Sequence, residues 1–177
     1  MVSFDSRTGR QFQRYDRGCR QVVGCIPYRF RQTTHASPND GRTLIQELEV
    51  LVISSQKSQR LMFPKGGWEI DESMTDAALR ETREEAGVEG EVQRELGKWS
   101  YNSKRNGAFH EGYMFSLLVE KQLDHWPEKN LRQRKWMTAD EARKLCMQSW
   151  MKEALEKLIS LQQKGDEDEN IKNKANY

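Results

Sequence analysis

The residues best placed to do chemistry are three glutamates in one short segment: Glu81, Glu84 and Glu85. Positions three and four apart share a face of an α-helix, so a helix here places the three carboxylates in one patch. Like charges at this spacing repel each other and reduce helix stability. Carboxylate oxygens suit Mg2+, which keeps waters and often takes substrate phosphates as further ligands. The spacing therefore indicates a divalent-cation site.

The alternative is a solvated helix face on which Arg80 and Arg83 pair with these acids, the commoner case for an acidic helix without other features. The surroundings favour the cation site. Gly66 and Gly67 precede the segment and allow a tight turn with close backbone approach. Glu72 adds a fourth carboxylate between that turn and the helix.

In order and spacing, these residues resemble the Nudix box, the defining motif of the Nudix hydrolases. The one departure is Thr82, where the family usually has an aliphatic side chain, and its methyl group is expected to maintain the packing. So many fixed positions make a stronger signal than a lone glycine motif. The matching residues are Gly66, Glu72, Arg80, Glu81, Glu84, Glu85, Gly87 and Val88.

The resemblance implies a metal site and a base. Glu81 and Glu85 are expected to be direct ligands of Mg2+, with Mn2+ as an alternative, and the backbone carbonyl of Lys65 to complete the site. Glu84 is expected to take a proton from the attacking water, although the identity of the base varies across the family. A bound cation lowers the pKa of water, and a carboxylate at its edge receives the proton.

The resemblance also implies supporting roles for the rest of the box. Arg80 is expected to orient the carboxylates through an ion pair. Glu72 is expected to act through water in the outer coordination shell, where contacts tune metal binding. Gly66 and Gly67 serve the site by permitting the turn, and Trp68 beside them either stacks on a base or packs against the turn.

Segments around the box resemble the diphosphoinositol polyphosphate phosphohydrolase branch, in its plant form. The branch acts on very anionic substrates: diphosphorylated inositol phosphates, diadenosine polyphosphates and, in some members, inorganic polyphosphate or capped RNA. Lys65 stands where animal members have a third glycine and adds a cation at the mouth of the site. The likeness covers residues 8–161 and is carried by residues 14–15, 20–28, 63–69, 126–128 and 132–136.

Basic residues fall in the strand ends and loops expected around the cleft, and arginine presents a planar fork suited to phosphate oxygens. Any single one could be ordinary solvated surface, but the group is better explained by a multiply phosphorylated ligand. His110 is the weakest member, because His35 and His125 occur without any argued role. The candidate substrate-binding residues are Arg20, Lys104, Arg105, His110, Arg132 and Arg134.

The leading hypothesis is an Mg2+-dependent hydrolase that removes the β-phosphate of diphosphoinositol polyphosphates. The first alternative is a diadenosine polyphosphate hydrolase, for which no adenine-binding signal of comparable strength is present. The second is a catalytically vestigial module that binds RNA or another phosphate-rich ligand, but such relatives typically lose box glutamates. The expected partner is a small, highly anionic substrate of a monomeric protein, with no membrane and no nucleic acid except capped RNA.

The 177 residues suffice for one domain with a substantial core, and 36% are hydrophobic and 32% charged. No apolar run approaches the ~20 residues needed to span a bilayer. A net charge of +2 gives no general argument for nucleic-acid binding. The arginine-rich start lacks an apolar signal core, and Asp5 and Asp16 interrupt a mitochondrial-presequence pattern. We expect a cytoplasmic protein, with the nucleus or mitochondrion as alternatives.

The predicted organisation is a basic arm at 1–18, a Nudix hydrolase domain at 19–161 and a disordered polar tail at 162–177. One helix is predicted between Ser73 and Gly87, and a second from Thr138 along an apolar stripe. Residues 32–43 are predicted as a turn-rich loop, and strands at 20–30, 44–54, 61–64, 92–101 and 112–119. This order predicts an α/β (α+β) fold, an α/β/α sandwich with a mixed β-sheet, which is the Nudix arrangement.

Overall fold

The computed structural model describes residues 5–37, 41–103, 107–145 and 148–175. The strands are β1 (Tyr15–Asp16), β2 (Cys19–Ser37), β3 (Gly41–Ser54), β4 (Leu61–Met62), β5 (Lys65–Gly67), β6 (Val88–Asn102), β7 (Phe109–Gln122) and β8 (Arg134–Thr138). The helices are α1 (Met74–Ala86), α2 (Ala139–Leu145) and α3 (Ser149–Ala175).

Within the described ranges the strands form one mixed sheet of eight strands with β2 at its centre. β2 pairs antiparallel with β3 and parallel with β7, in a register that sets Arg20 beside His110. β6 lies outside β7, and the short β5 pairs with β2. Helix α1 packs against β2, β5 and β6, whereas α3 packs against β6. The predicted α/β/α sandwich with a mixed sheet is confirmed.

Helix α1 begins and ends at the predicted residues. Ser73 is the N-cap, and its hydroxyl accepts a hydrogen bond from the Asp76 amide at 3.1 Å. Gly87 closes the helix in the left-handed region at φ 65°, where its amide donates to the Arg83 carbonyl. Thr82 is fully buried, and its hydroxyl donates to the Ala78 carbonyl at 2.8 Å. The polar atom of the one unusual box residue is therefore satisfied within the helix.

The prediction of a loop at 32–43 was wrong for its described part. β2 runs on to Ser37 and β3 starts at Gly41, and these two residues are paired in a long hairpin. Threonine has a high strand propensity, which favours strand structure in this polar segment. Residues 38–40, in the middle of the predicted turn, lie outside the described residues.

The C-terminal part differs from the prediction in three ways. β8, which pairs with β3, was not predicted. Thr138 and Glu141 form the expected reciprocal cap, with bonds of 2.9 and 3.1 Å, but the second helix is two helices, α2 and α3. α3 continues to Ala175 through the predicted disordered tail. Extending an existing helix needs no new nucleus, and glutamate and lysine are good helix formers.

The basic arm is not separate from the domain. The Arg14 amide donates to the Trp68 carbonyl at 2.9 Å, and the Ile70 amide to the Phe12 carbonyl at 2.8 Å. Gln13 and Glu69 form an antiparallel bridge between these bonds. The arm therefore packs along the segment that joins the glycine turn to α1. No helix among the described residues is long and apolar enough to cross a membrane.

Candidate active site

The glycine turn brings β5 against the acidic face of α1. The Lys65 amide donates to Glu85 Oε2 at 2.9 Å. A Cβ atom at Gly66 would overlap the Glu81 carboxylate, so only glycine permits this close approach. The structure thus places Glu81 and Glu85 at the turn, beside the residue whose carbonyl was expected to complete a metal site.

Arg80 ties the rest of the box together. Its guanidinium contacts both oxygens of Glu72, at 2.9 and 2.6 Å, and donates to the Gly67 carbonyl at 2.9 Å. It also pairs with Glu81 at 2.7 Å and with Glu84 at 3.5 Å. The structure therefore places the Arg80 guanidinium between Glu72, Glu81 and Glu84. That Arg80 orients these carboxylates for catalysis, and that Glu72 acts through water in the outer coordination shell, stay predictions.

The acidic face of α1 is buried, which excludes the alternative of a solvated helix face. Glu81, Glu84 and Glu85 expose only 9, 7 and 6% of their surface. Burial raises the pKa of all three carboxyls, that of Glu84 to about 7 with the charge of Glu81 adding to the effect. Burial raises the pKa of Glu85 to about 8 against the opposing effect of Arg132. Ionised carboxylates held in such a place are stabilised by a cation.

These pKa shifts predict how stability without metal depends on pH. Unfolded glutamates ionise near 4.5, whereas folded Glu84 and Glu85 keep their protons to about 7 and 8. The folded state binds more protons between these values, so its stability falls as pH rises. Melting in a chelator should therefore occur at lower temperature at pH 8 than at pH 5. Mg2+ should raise the melting temperature far more at pH 8, because metal binds the ionised form.

The control is Glu84→Gln/Glu85→Gln, which removes both titrating groups. His110 acts in the opposite direction, because burial lowers its pKa and its contribution to stability increases as pH rises. The difference in the pH dependence of melting between wild type and the double variant isolates the contribution of the two carboxyls. Identical pH dependence in the two proteins would contradict the assignment.

The donor atoms at the turn fit a hard cation. In the residues that the structure describes, no three acidic, histidine or cysteine side chains converge as a ready metal cluster. Arg80 and Arg132 instead hold Glu81 and Glu85. Mg2+ needs only one or two carboxylates when waters and substrate phosphates supply its other ligands. Glu81 and Glu85 meet that requirement with oxygen donors alone.

Sequence reasoning placed Arg132 and Arg134 in the substrate cleft, and the structure gives both another position. Arg132 exposes 10% of its side chain and bridges Glu85 at 2.8 Å and Glu128 at 2.6 Å. Arg134 lies at the C-terminal end of α1, where it donates to the Ala86 and Gly87 carbonyls at 3.1 and 3.0 Å. A buried carboxylate and the free carbonyls of a helix end both require donors, and these arginines supply them.

A cavity of about 660 Å³ opens beside the glycine turn. Among the candidate substrate-binding residues, Arg20 and His110 line it, and Lys65 lines it as well. Arg10 and Arg60 also line it, and sequence reasoning missed both. Arg10 belongs to the arginine-rich arm, which was a usable signal, whereas nothing local marked Arg60. Lys104 and Arg105 lie outside the described residues.

Aromatic side chains close one side of this cavity. Tyr101 stacks on Trp150 with ring centres 4.6 Å apart and meets His110 edge to face. The Tyr101 hydroxyl is buried without a hydrogen-bond partner in the described part of the chain. Trp68, the other candidate for stacking, packs instead: Arg14 covers its ring and its indole N–H donates to the Glu72 carbonyl.

Comparison with known proteins finds similar sequences and a shared fold. A family model described as the NUDIX domain matches residues 38–158. Nudix hydrolase 18, mitochondrial, of Arabidopsis thaliana is 60% identical over 159 residues, 90% of this chain and 87% of that protein. Diphosphoinositol polyphosphate phosphohydrolase 3-alpha of Mus musculus is 38% identical over 118 residues, 64% of this chain and 70% of that protein. The solved C. elegans Ap4A hydrolase shares the fold, with a TM-score of 0.58 and 19% identity over 80% of this chain and 96% of that one.

Proposed function

The chain belongs to the Nudix family of hydrolases, which act on phosphoanhydride bonds and generally use divalent metals, and we propose that it removes the β-phosphate of diphosphoinositol polyphosphates with Mg2+. One observation carries the substrate class. Four cations, Arg10, Arg20, Arg60 and Lys65, line the cavity beside the box, and none of the described residues that line it is acidic. A cavity with this charge favours a compact ligand that carries several phosphates.

In the proposed reaction the box residues and the cations of the cavity have separate roles. Glu81 and Glu85 would hold Mg2+, which when bound would neutralise phosphoryl charge and acidify the attacking water. Glu84 accepts the proton of that water, and its pKa of about 7 suits a base at neutral pH. Arg80 fixes Glu81 and Glu84, and Arg132 fixes Glu85, while the cations of the cavity hold the phosphates that do not react.

The cavity favours an inositol ring over an adenine. Trp150 covers one face of the Tyr101 ring, and His110 meets the same ring edge to face. The aromatic side of the cavity is therefore already packed. The unpartnered Tyr101 hydroxyl and the cations instead offer hydrogen bonds to phosphate oxygens. The name of the mouse relative supports the same substrate class. The name of the Arabidopsis relative supports the mitochondrial alternative for the compartment.

The test is turnover on a substrate panel with Mg2+: a diphosphoinositol polyphosphate, a diadenosine polyphosphate and a nucleoside diphosphate sugar. The first should give the highest kcat/KM. Arg20→Ala should lower kcat/KM for it by about 10- to 100-fold, because a charge-assisted hydrogen bond contributes ~1.5–3 kcal/mol. The nucleoside diphosphate sugar should lose far less.

Arg94→Ala is the matched control, since Arg94 is exposed on β6 and does not line the cavity. Faster turnover of diadenosine polyphosphate than of the inositol substrate would overturn the substrate assignment. Equal losses on all substrates in Arg20→Ala would mean that Arg20 supports the common metal site instead.

A further inference from the structure

Gln13 of the N-terminal arm joins three segments at the edge of the cavity. Its amide nitrogen donates to the Arg14 and Gln21 carbonyls at 2.9 Å and to the Trp68 carbonyl at 3.3 Å. Its amide oxygen accepts a hydrogen bond from Arg20 Nε at 2.9 Å. Three acceptors around the nitrogen fix the orientation of the amide, so its oxygen must face Arg20.

The three carbonyls do not depend on Gln13 for a partner. Each already accepts a backbone bond: Arg14 from the Gln21 amide at 3.1 Å, Gln21 from the Trp68 amide at 3.0 Å, and Trp68 from the Arg14 amide at 2.9 Å. Losing the Gln13 side chain therefore leaves no buried carbonyl unpaired. The amide of Gln13 is more important for holding Arg20 than for holding the backbone.

Arg20 has an unusual environment for a half-buried arginine. Among the described residues no carboxylate forms an ion pair with it, so Glu81 acts on it only at longer distance, and the side chain that accepts its hydrogen bond is neutral. Buried charges normally have a charged partner. Because Gln13 orients the guanidinium without neutralising it, the full charge remains available to a ligand in the cavity that Arg20 lines.

The glycine turn is shaped around this pair. A Cβ atom at Gly67 would overlap Gln13 Oε1 and lie 3.0 Å from Arg20 Nη2. Gly66 makes room for a catalytic carboxylate, whereas Gly67 makes room for the Gln13 amide and the Arg20 guanidinium. The second glycine of the turn therefore serves the cavity side of the site.

We propose that Gln13 is a positioning residue, which holds the Arg20 guanidinium in the orientation that binds the phosphates of the substrate. The arm thereby completes the binding site of the domain. The proposal rests on the proposed function for the identity of the substrate, but the coupling between Gln13 and Arg20 applies to any polyanion in the cavity.

The test is a double-mutant cycle with binding measured by calorimetry in a chelator, which prevents turnover. The probes are inositol hexakisphosphate and inorganic tripolyphosphate. Gln13→Leu should weaken binding about tenfold, a part of what Arg20→Ala loses, because the charge is kept but misdirected. In the Arg20→Ala background the same change should have no further effect. Gln13→Glu should weaken binding more than Gln13→Leu, because a carboxylate neutralises Arg20.

Under turnover, Gln13→Leu should raise KM by a larger factor than it lowers kcat, since the box glutamates are untouched. Gln11→Leu, on the exposed side of the same arm, is the control and should match wild type. Equal effects of Gln13→Leu with and without Arg20 would overturn the proposal, and so would unchanged binding. No phosphate release from diphosphoinositol polyphosphate, with the coupling intact on tripolyphosphate, would reject the proposed substrate alone.

Discussion

Glu85→Gln should give a folded protein that has lost metal binding and nearly all turnover. Glu85 now accepts from the Lys65 amide through Oε2 at 2.9 Å and from Arg132 through Oε1 at 2.8 Å. Glutamine has nearly the same shape, and its single amide oxygen keeps one of these two bonds while its NH2 group replaces the other oxygen. The variant also no longer buries a charge that burial destabilises. A neutral amide is a poor ligand for Mg2+, however. Loss of outer-shell contacts already reduces metal affinity or activity by ~10–100-fold, so losing a direct ligand should reduce them at least that much.

The measurements are Mg2+ titration by calorimetry, kcat at limiting Mg2+, and melting temperature. Glu89→Gln is the matched control, because Glu89 exposes 42% of its side chain and pairs with Arg83 away from the turn. A folded Glu85→Gln protein with near-normal turnover at limiting Mg2+ would remove Glu85 from the metal site.

The features that sequence predicted are those set by local chemistry. The Ser73 cap and the Gly87 stop depend on residues within one turn of the helix, so a short pattern is enough to identify them. The spacing of the box fixes which carboxylates share a face of α1. Buried strands such as residues 50–53 of β3 likewise follow from consecutive apolar residues.

The features that sequence missed depend on contacts between distant segments. Arg132 and Arg134 are neighbouring basic residues in one motif, yet one bridges buried carboxylates and the other binds carbonyls at a helix end. Their contacts with Glu85 and Ala86 join residues 47 and 48 positions apart in the sequence, so composition gave no means of separating their roles. Gln13 was not singled out, because an isolated glutamine carries no motif.

The burial of the acidic face of α1 also depends on contacts between distant segments. Three like charges on a helix face predict a solvated surface or a bound cation, and spacing alone cannot give their burial. The turn at Gly66, the Arg132 bridge and the Arg7 amide, 3.4 Å from Glu84 Oε1, together cover this face. Burial removes water from each carboxylate and leaves it close to the others, which raises the pKa of Glu84 and Glu85 although the Arg7 amide and the Arg132 charge act in the opposite direction.

Glu84→Gln should lower kcat by roughly 100- to 10,000-fold, the usual range for loss of a general base. The replacement is nearly isosteric and keeps an oxygen for the Arg7 amide, but an amide cannot take the proton from water. Magnesium affinity should fall less than in Glu85→Gln, because Glu84 is not placed at the turn. The wild-type rate should decrease as pH falls, since only ionised Glu84 accepts a proton, and this acidic limb should be absent from the residual rate of the variant.

The pH profile separates the two roles that a carboxylate at this position can have. If Glu84 is the base, its replacement leaves the metal in place, so the variant should bind Mg2+ and remain slow at every pH. If Glu84 is a ligand, its replacement removes the metal as well. If Mg2+ binding collapsed in Glu84→Gln, and the acidic limb of the pH profile persisted at saturating Mg2+, Glu84 would be a ligand and another group would be the base. Glu128 would then be a candidate, because Arg132 bridges it to Glu85.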